Sequence, residues 1–184
     1  MTLSSLAKLI RVRFPGRAFL NSEGGGMMVE FAFVAPFVIL LMVSTIEVGL
    51  TLFVGATLEG AAEAAARQIR TGQVQVAANP LEAFRTRLCA ELFELIDCNE
   101  VVFDVRKFDN FTSVATTLEF DEEGDVVGAA FLPGDSGEMT IIRVIYRWHY
   151  KTPLVAQALS SDGTGSAVLM ATMAFQNEPY ELGG

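Results

Sequence analysis

The chain is short of charge, of histidine and of cysteine. Only 19% of its 184 residues are Asp, Glu, Lys or Arg, and it holds one histidine and two cysteines. A soluble domain averages about 25% charged residues. Two sulfurs with no histidine nearby make a poor zinc site, so no metal ligand set is assigned. After position 58, basic residues are outnumbered about two to one, 9 Lys/Arg facing 19 Asp/Glu for a net charge of −10. A nucleic-acid binder carries a basic footprint, so that class is set aside; the acidity serves solubility. There is no internal repeat and no long low-complexity tract.

What the chain does have is apolar residues, 51% of the total, and the surplus is concentrated. From Phe31 to Leu58, 28 residues carry a single charge, Glu47. As a helix such a run reaches about 42 Å, more than a hydrocarbon core requires, and it exceeds a signal-peptide h-region of about 7–15 residues. The reading is a spanning helix. Lys8, Arg11, Arg13 and Arg17 precede it against one acid, Glu23. Short basic flanks stay cytoplasmic, so the N-terminus is expected inside and everything after the anchor exported. In an oxidising compartment Cys89 and Cys98 are most simply a local disulfide, the alternative being two buried thiols.

Local patterning predicts an α+β fold: a long N-terminal helix, a second helix and a small antiparallel sheet of about three strands. Beyond Leu58 the segment 60–70 is alanine-rich and strongly helix-forming, and nothing breaks it before Gly72, so one helix of about 40 residues is expected. Pro36 predicts a kink or local melting near residues 32–36. Asn79-Pro80-Leu81-Glu82 is a helix start, followed by the stripe Leu81, Phe84, Leu88, Leu92, Leu95 and an end near Asp97-Cys98-Asn99. Val101, Phe103 and Val105, then Ile142, Val144, Tyr146, Trp148 and Tyr150, then Ala167, Leu169, Ala171, Met173 and Phe175 alternate at period two, as strands with one buried face. Tyr146, Trp148 and Tyr150 are expected in the core. Residues 109–137 and 151–165, rich in Gly, Asp, Ser and Pro, read as loops.

The informative stretch is Glu23-Gly24-Gly25-Gly26-Met27-Met28-Val29-Glu30-Phe31. Glycines stand immediately before the apolar run, with an acid a few residues into it. Burying that acid costs about 2.5–3.5 kcal/mol at a bilayer centre and less near an end. The plainer reading makes Glu30 an interfacial acid favoured by the helix macrodipole.

The junction resembles the Flp-type prepilin processing site, where cleavage follows a glycine and glutamate is the fifth mature residue. That resemblance places the cut between Gly25 and Gly26, or one residue later, with Glu30-Phe31 where the family has Glu-Tyr. Val29-Glu30-Phe31-Ala32-Phe33-Val34-Ala35-Pro36, followed by Glu47-Val48-Gly49, is similar to the TadE-like subclass. So are Arg143–Trp148 before Thr152-Pro153, the cysteine pair, and the ending Asn177-Glu178-Pro179-Tyr180, the resemblance running from residue 24 to the chain's end.

It implies a minor pilin, or pseudopilin, of the tight-adherence system that builds Flp pili for surface attachment and biofilm. Three regions follow: a basic leader, 1–25, removed by a prepilin peptidase; a transmembrane helix, 26–58; and a periplasmic domain, 59–184, on the inner membrane. Expected partners are that peptidase, sibling pilin-like subunits with the assembly machinery, and the membrane. Glu30, Glu47, Gly49 and Gly55 are candidate assembly contacts, small residues allowing helices to approach; Glu47 is otherwise an acid at the outer interface. The competing reading is a permanently anchored periplasmic binding or adaptor domain.

No catalytic residue and no cofactor is expected. Gly134-Asp135-Ser136-Gly137 matches a serine-protease tetrapeptide, but the only histidine, His149, follows that serine and sits in an expected strand, so the tetrapeptide reads as a turn. Asp121-Glu122-Glu123-Gly124-Asp125 lacks EF-hand spacing and reads as a solvated acidic loop. Ala62-Glu63-Ala64 could serve a signal peptidase, against which the long anchor and the glycine junction weigh.

Overall fold

A computed structural model of the chain describes residues 25–93, 96–108, 118–121, 126–160 and 164–180. The expected leader up to residue 24, Leu95 of the helical stripe and residues 122–125 of the acidic loop lie outside the described residues. The chain divides into two compact units, 1–43 and 44–184. The first helix, α1 (Gly26–Arg70), runs through both.

Within the first unit, α1 is almost uniformly apolar and its side chains are exposed, from Met27 and Phe31 to Val43. It is long and apolar enough to cross a membrane, which makes it a candidate anchor. The helix continues through Pro36 without interruption, so the local melting expected there does not occur. Proline removes one N–H donor, and the turns on either side close without it.

The second unit is built on the remainder of α1. Its buried positions, Glu47, Val54, Leu58, Ala61, Ala62, Ala65, Ala66 and Ile69, form one face. Against this face lies a sheet of β1 (Val102–Phe108), β4 (Met139–His149) and β5 (Ser166–Gln176), in the order β1-β4-β5 with both pairings antiparallel. A separate two-residue hairpin pairs β2 (Glu119–Phe120) with β3 (Val126–Val127). The inner face of the sheet presents Val105, Ile142, Val144, Tyr146, Trp148 and Ala171, all in the same buried cluster as α1. Alanine on the helix lets these branched and aromatic side chains approach closely. Tyr146 and Trp148 are core, as expected, and Tyr150 packs partly buried beside them. β4 is buried on both faces along most of its length, where one buried face was expected, because it is the central strand.

The sheet is matched to the helix in length. Ten steps along β4 span about 33 Å, and the 23 steps from Glu47 to Arg70 span about 35 Å. Both ends are tied: the amides of Lys151 and Thr152 reach Glu47, and the Glu178 amide donates to the Arg70 carbonyl at 2.9 Å.

The second helix, α2 (Pro80–Ala90), begins as the sequence indicates, the Asn79 side chain accepting from the Glu82 amide at 3.3 Å. It stops well short of Asp97. Cys89 and Cys98 form a disulfide with Cα atoms 5.7 Å apart, whereas nine further helical residues would separate them by about 13.5 Å. The bridge and a helix reaching Cys98 are mutually exclusive. Of the stripe, Phe84 and Leu88 are fully buried and Leu81 is exposed; Phe84 meets Phe103 and Phe131 at centroid distances of 5.1 and 5.4 Å. Replacing both cysteines with serine is expected to destabilise the fold by about 2–3 kcal/mol, the chain-entropy value for so short a loop, read as an earlier urea midpoint that added reductant no longer shifts.

A third helix, α3 (Pro153–Leu159), occupies part of the expected loop 151–165.

Candidate functional site

The glycine junction sits where α1 starts. Gly25 precedes the helix and Gly26 is its first residue; a Cβ at either would meet nothing within 4 Å. Glu30 is therefore the fifth helical residue, exposed beside exposed Phe31, and no ion pair of Glu30 is seen among the described residues. The macrodipole effect fades beyond the first turn, and the first turn of α1 holds no acid, so the helix terminus does little to hold this charge.

Glu47 is in a different situation. It is only 4% exposed, and its carboxylate accepts the Lys151 amide and, at 3.2 Å to each oxygen, the Thr152 amide. Thr152 is the N-cap of α3 but makes no side-chain cap bond; Glu47 supplies an acceptor at that end. Its carboxylate is thus engaged within its own chain, by backbone more than a hundred residues downstream. Gly49, Gly55 and Gly60 present open helix surface, where an added Cβ would meet nothing within 4 Å. Val54 and Leu58, from the apolar run, are completely buried in the second unit.

At the other end of the sheet the terminal residues form a clasp. Asn177, almost fully buried, donates its side-chain amide to the carbonyls of Pro133 and Asp135 at 3.1 and 3.0 Å. Glu178 pairs with Arg70 at 3.2 Å. The Tyr180 amide donates to the Ser136 hydroxyl at 3.1 Å, and its ring lies on Gly72. That glycine ends α1 with φ +78°, its amide bonding Ile69 O while Gln73 bonds Gln68 O, both at 3.0 Å, a Schellman closure. Burial and the nearby carboxylates of Asp135 and Glu138 push the Tyr180 phenol up, keeping it neutral. The Glu138 carboxylate accepts the Asp135 amide at 2.8 Å and Lys107 Nζ at 3.1 Å, which hold it below the usual carboxylate range.

Gly134-Asp135-Ser136-Gly137 is accordingly a turn, with positive φ at both glycines and Glu138 N bonded to Asp135 O. Ser136 precedes the first residue of β4 and His149 is its last, about 33 Å apart along the strand, so the two cannot form a dyad. Ala62, in the alternative cleavage site, is completely buried in α1.

Sequence reasoning missed Asp104. It is completely buried on β1, and its carboxylate accepts from Arg106 Nε at 2.8 Å, the Ala130 amide at 2.9 Å and Arg143 Nη1 at 3.4 Å. The segment Ala130–Leu132 is thereby held along the outer edge of β1, where Val105 bonds Ala130 and Leu132. An acid between Phe103 and Val105 reads as solvent-facing from alternation alone; the register opposite Arg143 was the signal. A groove of 590 Å³ lies between α1, α2 and β5, and its Arg70 and Arg87 are already paired with Glu178 and Glu91.

No curated protein and no solved structure matches the chain. A family model does, over residues 25–67, and its description is TadE-like protein. The match starts at the glycine junction and ends near the last turn of α1, so the likeness of residues 143–153 and 175–180 rests on those residues alone. From the candidate cleavage site to the alanine face beneath the sheet, the chain is similar to the TadE-like family.

Proposed function

We propose that the chain is a minor pilin of the tight-adherence system, taking part in Flp pilus assembly after a prepilin peptidase removes residues 1–25. One observation carries this reading. Within the TadE-like match, a helix begins at the glycine junction, runs exposed and apolar for about twenty residues, and ends as the core helix of a folded unit. That is what a subunit needs if it is stored in a bilayer and later drawn into a helical bundle. The basic flank puts the junction on the cytoplasmic side and the folded unit in the periplasm. The role is structural and not enzymatic, and cutting between Gly25 and Gly26 frees an amine to neutralise Glu30.

The processing test is mass spectrometry of the full chain expressed with and without the cognate prepilin peptidase. The enzyme is expected to shorten the chain by 25 residues, and Gly25→Leu to leave it at full length. A chain that keeps Met1 beside an active peptidase would instead be a permanently anchored adaptor.

A further inference from the structure

The strongest unassigned feature is the short helix α3 and the acid that holds its start. We propose that Pro153–Leu159 is a foot resting on the periplasmic surface of the phospholipid bilayer, set at that level by Glu47. This rests on the reading of α1 as the membrane anchor.

The first argument is length. Gly26 to Ile46 is 21 residues of α1, or about 31 Å of helix, the thickness of a hydrocarbon core. Glu47 is the first charge after Glu30, so it leaves the apolar layer as the layer ends. The second is position. The Lys151 and Thr152 amides are bonded to Glu47, which fixes that point of the domain at the same height. α3 starts at the next residue, so its first turn, with Leu154, lies at that level.

The third argument is chemistry. The seven residues of α3 include no charge, and Leu154 and Leu159 are 59% and 47% exposed while only Val155 is buried. Exposed aliphatic side chains on an uncharged helix suit the boundary between headgroups and acyl chains. Lys151, exposed next to the Glu47 bond, can extend along the surface to anionic headgroups.

The test uses the full chain, nitroxide-labelled after Leu154→Cys or Leu159→Cys and reconstituted in phosphatidylethanolamine–phosphatidylglycerol vesicles. Cys89 and Cys98 are paired, so the introduced thiol is the one that reacts. Leu40→Cys in the anchor and Val127→Cys on β3 serve as references. Power saturation by oxygen and by a nickel chelate is expected to give labels 154 and 159 an oxygen-to-nickel ratio several-fold above that of 127, approaching that of 40. Glu47→Ala is expected to lower the ratio at 154 and leave 40 unchanged. A ratio at 154 and 159 equal to that at 127, with 40 still lipid-like, overturns the foot and leaves the anchor standing. A water-like ratio at 40 overturns the anchor and the foot with it. Loss of the lipid-like signal when the protein is diluted in excess lipid identifies a second copy as the occupant and also overturns the proposal. An unchanged ratio at 154 in Glu47→Ala removes Glu47 as the device that sets the level.

Discussion

Asp104→Ala is expected to lower the stability of the folded unit by about 3–5 kcal/mol, the range for breaking a buried ion pair by removing one partner. The substitution leaves the Arg143 guanidinium, itself buried, without the Asp104 carboxylate, and frees the Ala130 amide that holds Ala130–Leu132 against β1. Most small domains have about 5–15 kcal/mol in total, so a large share of the protein should unfold under mild denaturant. The reporter is built in: Trp148, the only tryptophan, lies buried on the inner face of β4. Its emission through a urea titration of the full chain in detergent gives the midpoint. Lys107→Ala, which removes an exposed pair with Glu138, is the control and is expected to move stability by less than about 1 kcal/mol. Equal midpoints for the two variants would show that the Asp104 cluster contributes nothing beyond a surface pair.

Gly72→Ala should come next in severity. At φ +78° any L side chain costs about 1–2 kcal/mol, and here the added Cβ would lie 2.5–2.7 Å from three atoms of the Tyr180 ring. The ring has to leave, and with it goes the support of the Tyr180 amide on Ser136. A total of about 2–4 kcal/mol is expected from the strain together with the displaced contact. Gly128→Ala separates the two parts, since Gly128 has φ +73° but nothing within 4 Å of its Cβ position; it should cost only the conformational share. If the two variants melted together, Tyr180 would not be packed on Gly72 in solution.

Much of this architecture could be read from local signals. The apolar run stands out by composition, the three strands alternate over their own lengths, and Asn79-Pro80 announced α2 within a residue. The misses have physical reasons. Hydropathy cannot tell a helix face that meets lipid from one that meets a protein core, so Val54 and Leu58 read as membrane-spanning though they pack under the sheet. The end of α2 was legible in principle, because a disulfide across nine residues forbids helix between its ends. α3 was hidden by the glycine, serine and aspartate after it, although Thr152-Pro153 before an apolar run is a helix start. Apart from Arg106 beside Asp104, the partners of Glu47, Asp104 and Tyr180 named above lie 26 or more residues away in sequence, and no local pattern encodes such pairings. In the candidate site, the intrachain bond that occupies Glu47 was not legible in the sequence, where that acid reads as an assembly contact or an interfacial charge.

Because α1 is held at Glu47 below and at Arg70 above, its length between those points is specified as strictly as its composition. One residue inserted after Thr51 would turn everything on one side of it by about 100°. The carboxylate would swing off the Lys151–Thr152 amides while the alanines stayed under the sheet, or the alanines would rotate out while the carboxylate stayed. Evolution can therefore exchange residues freely on the outward face of this rod, at Glu59 or Glu63 for example, yet can neither lengthen nor shorten it by a single step.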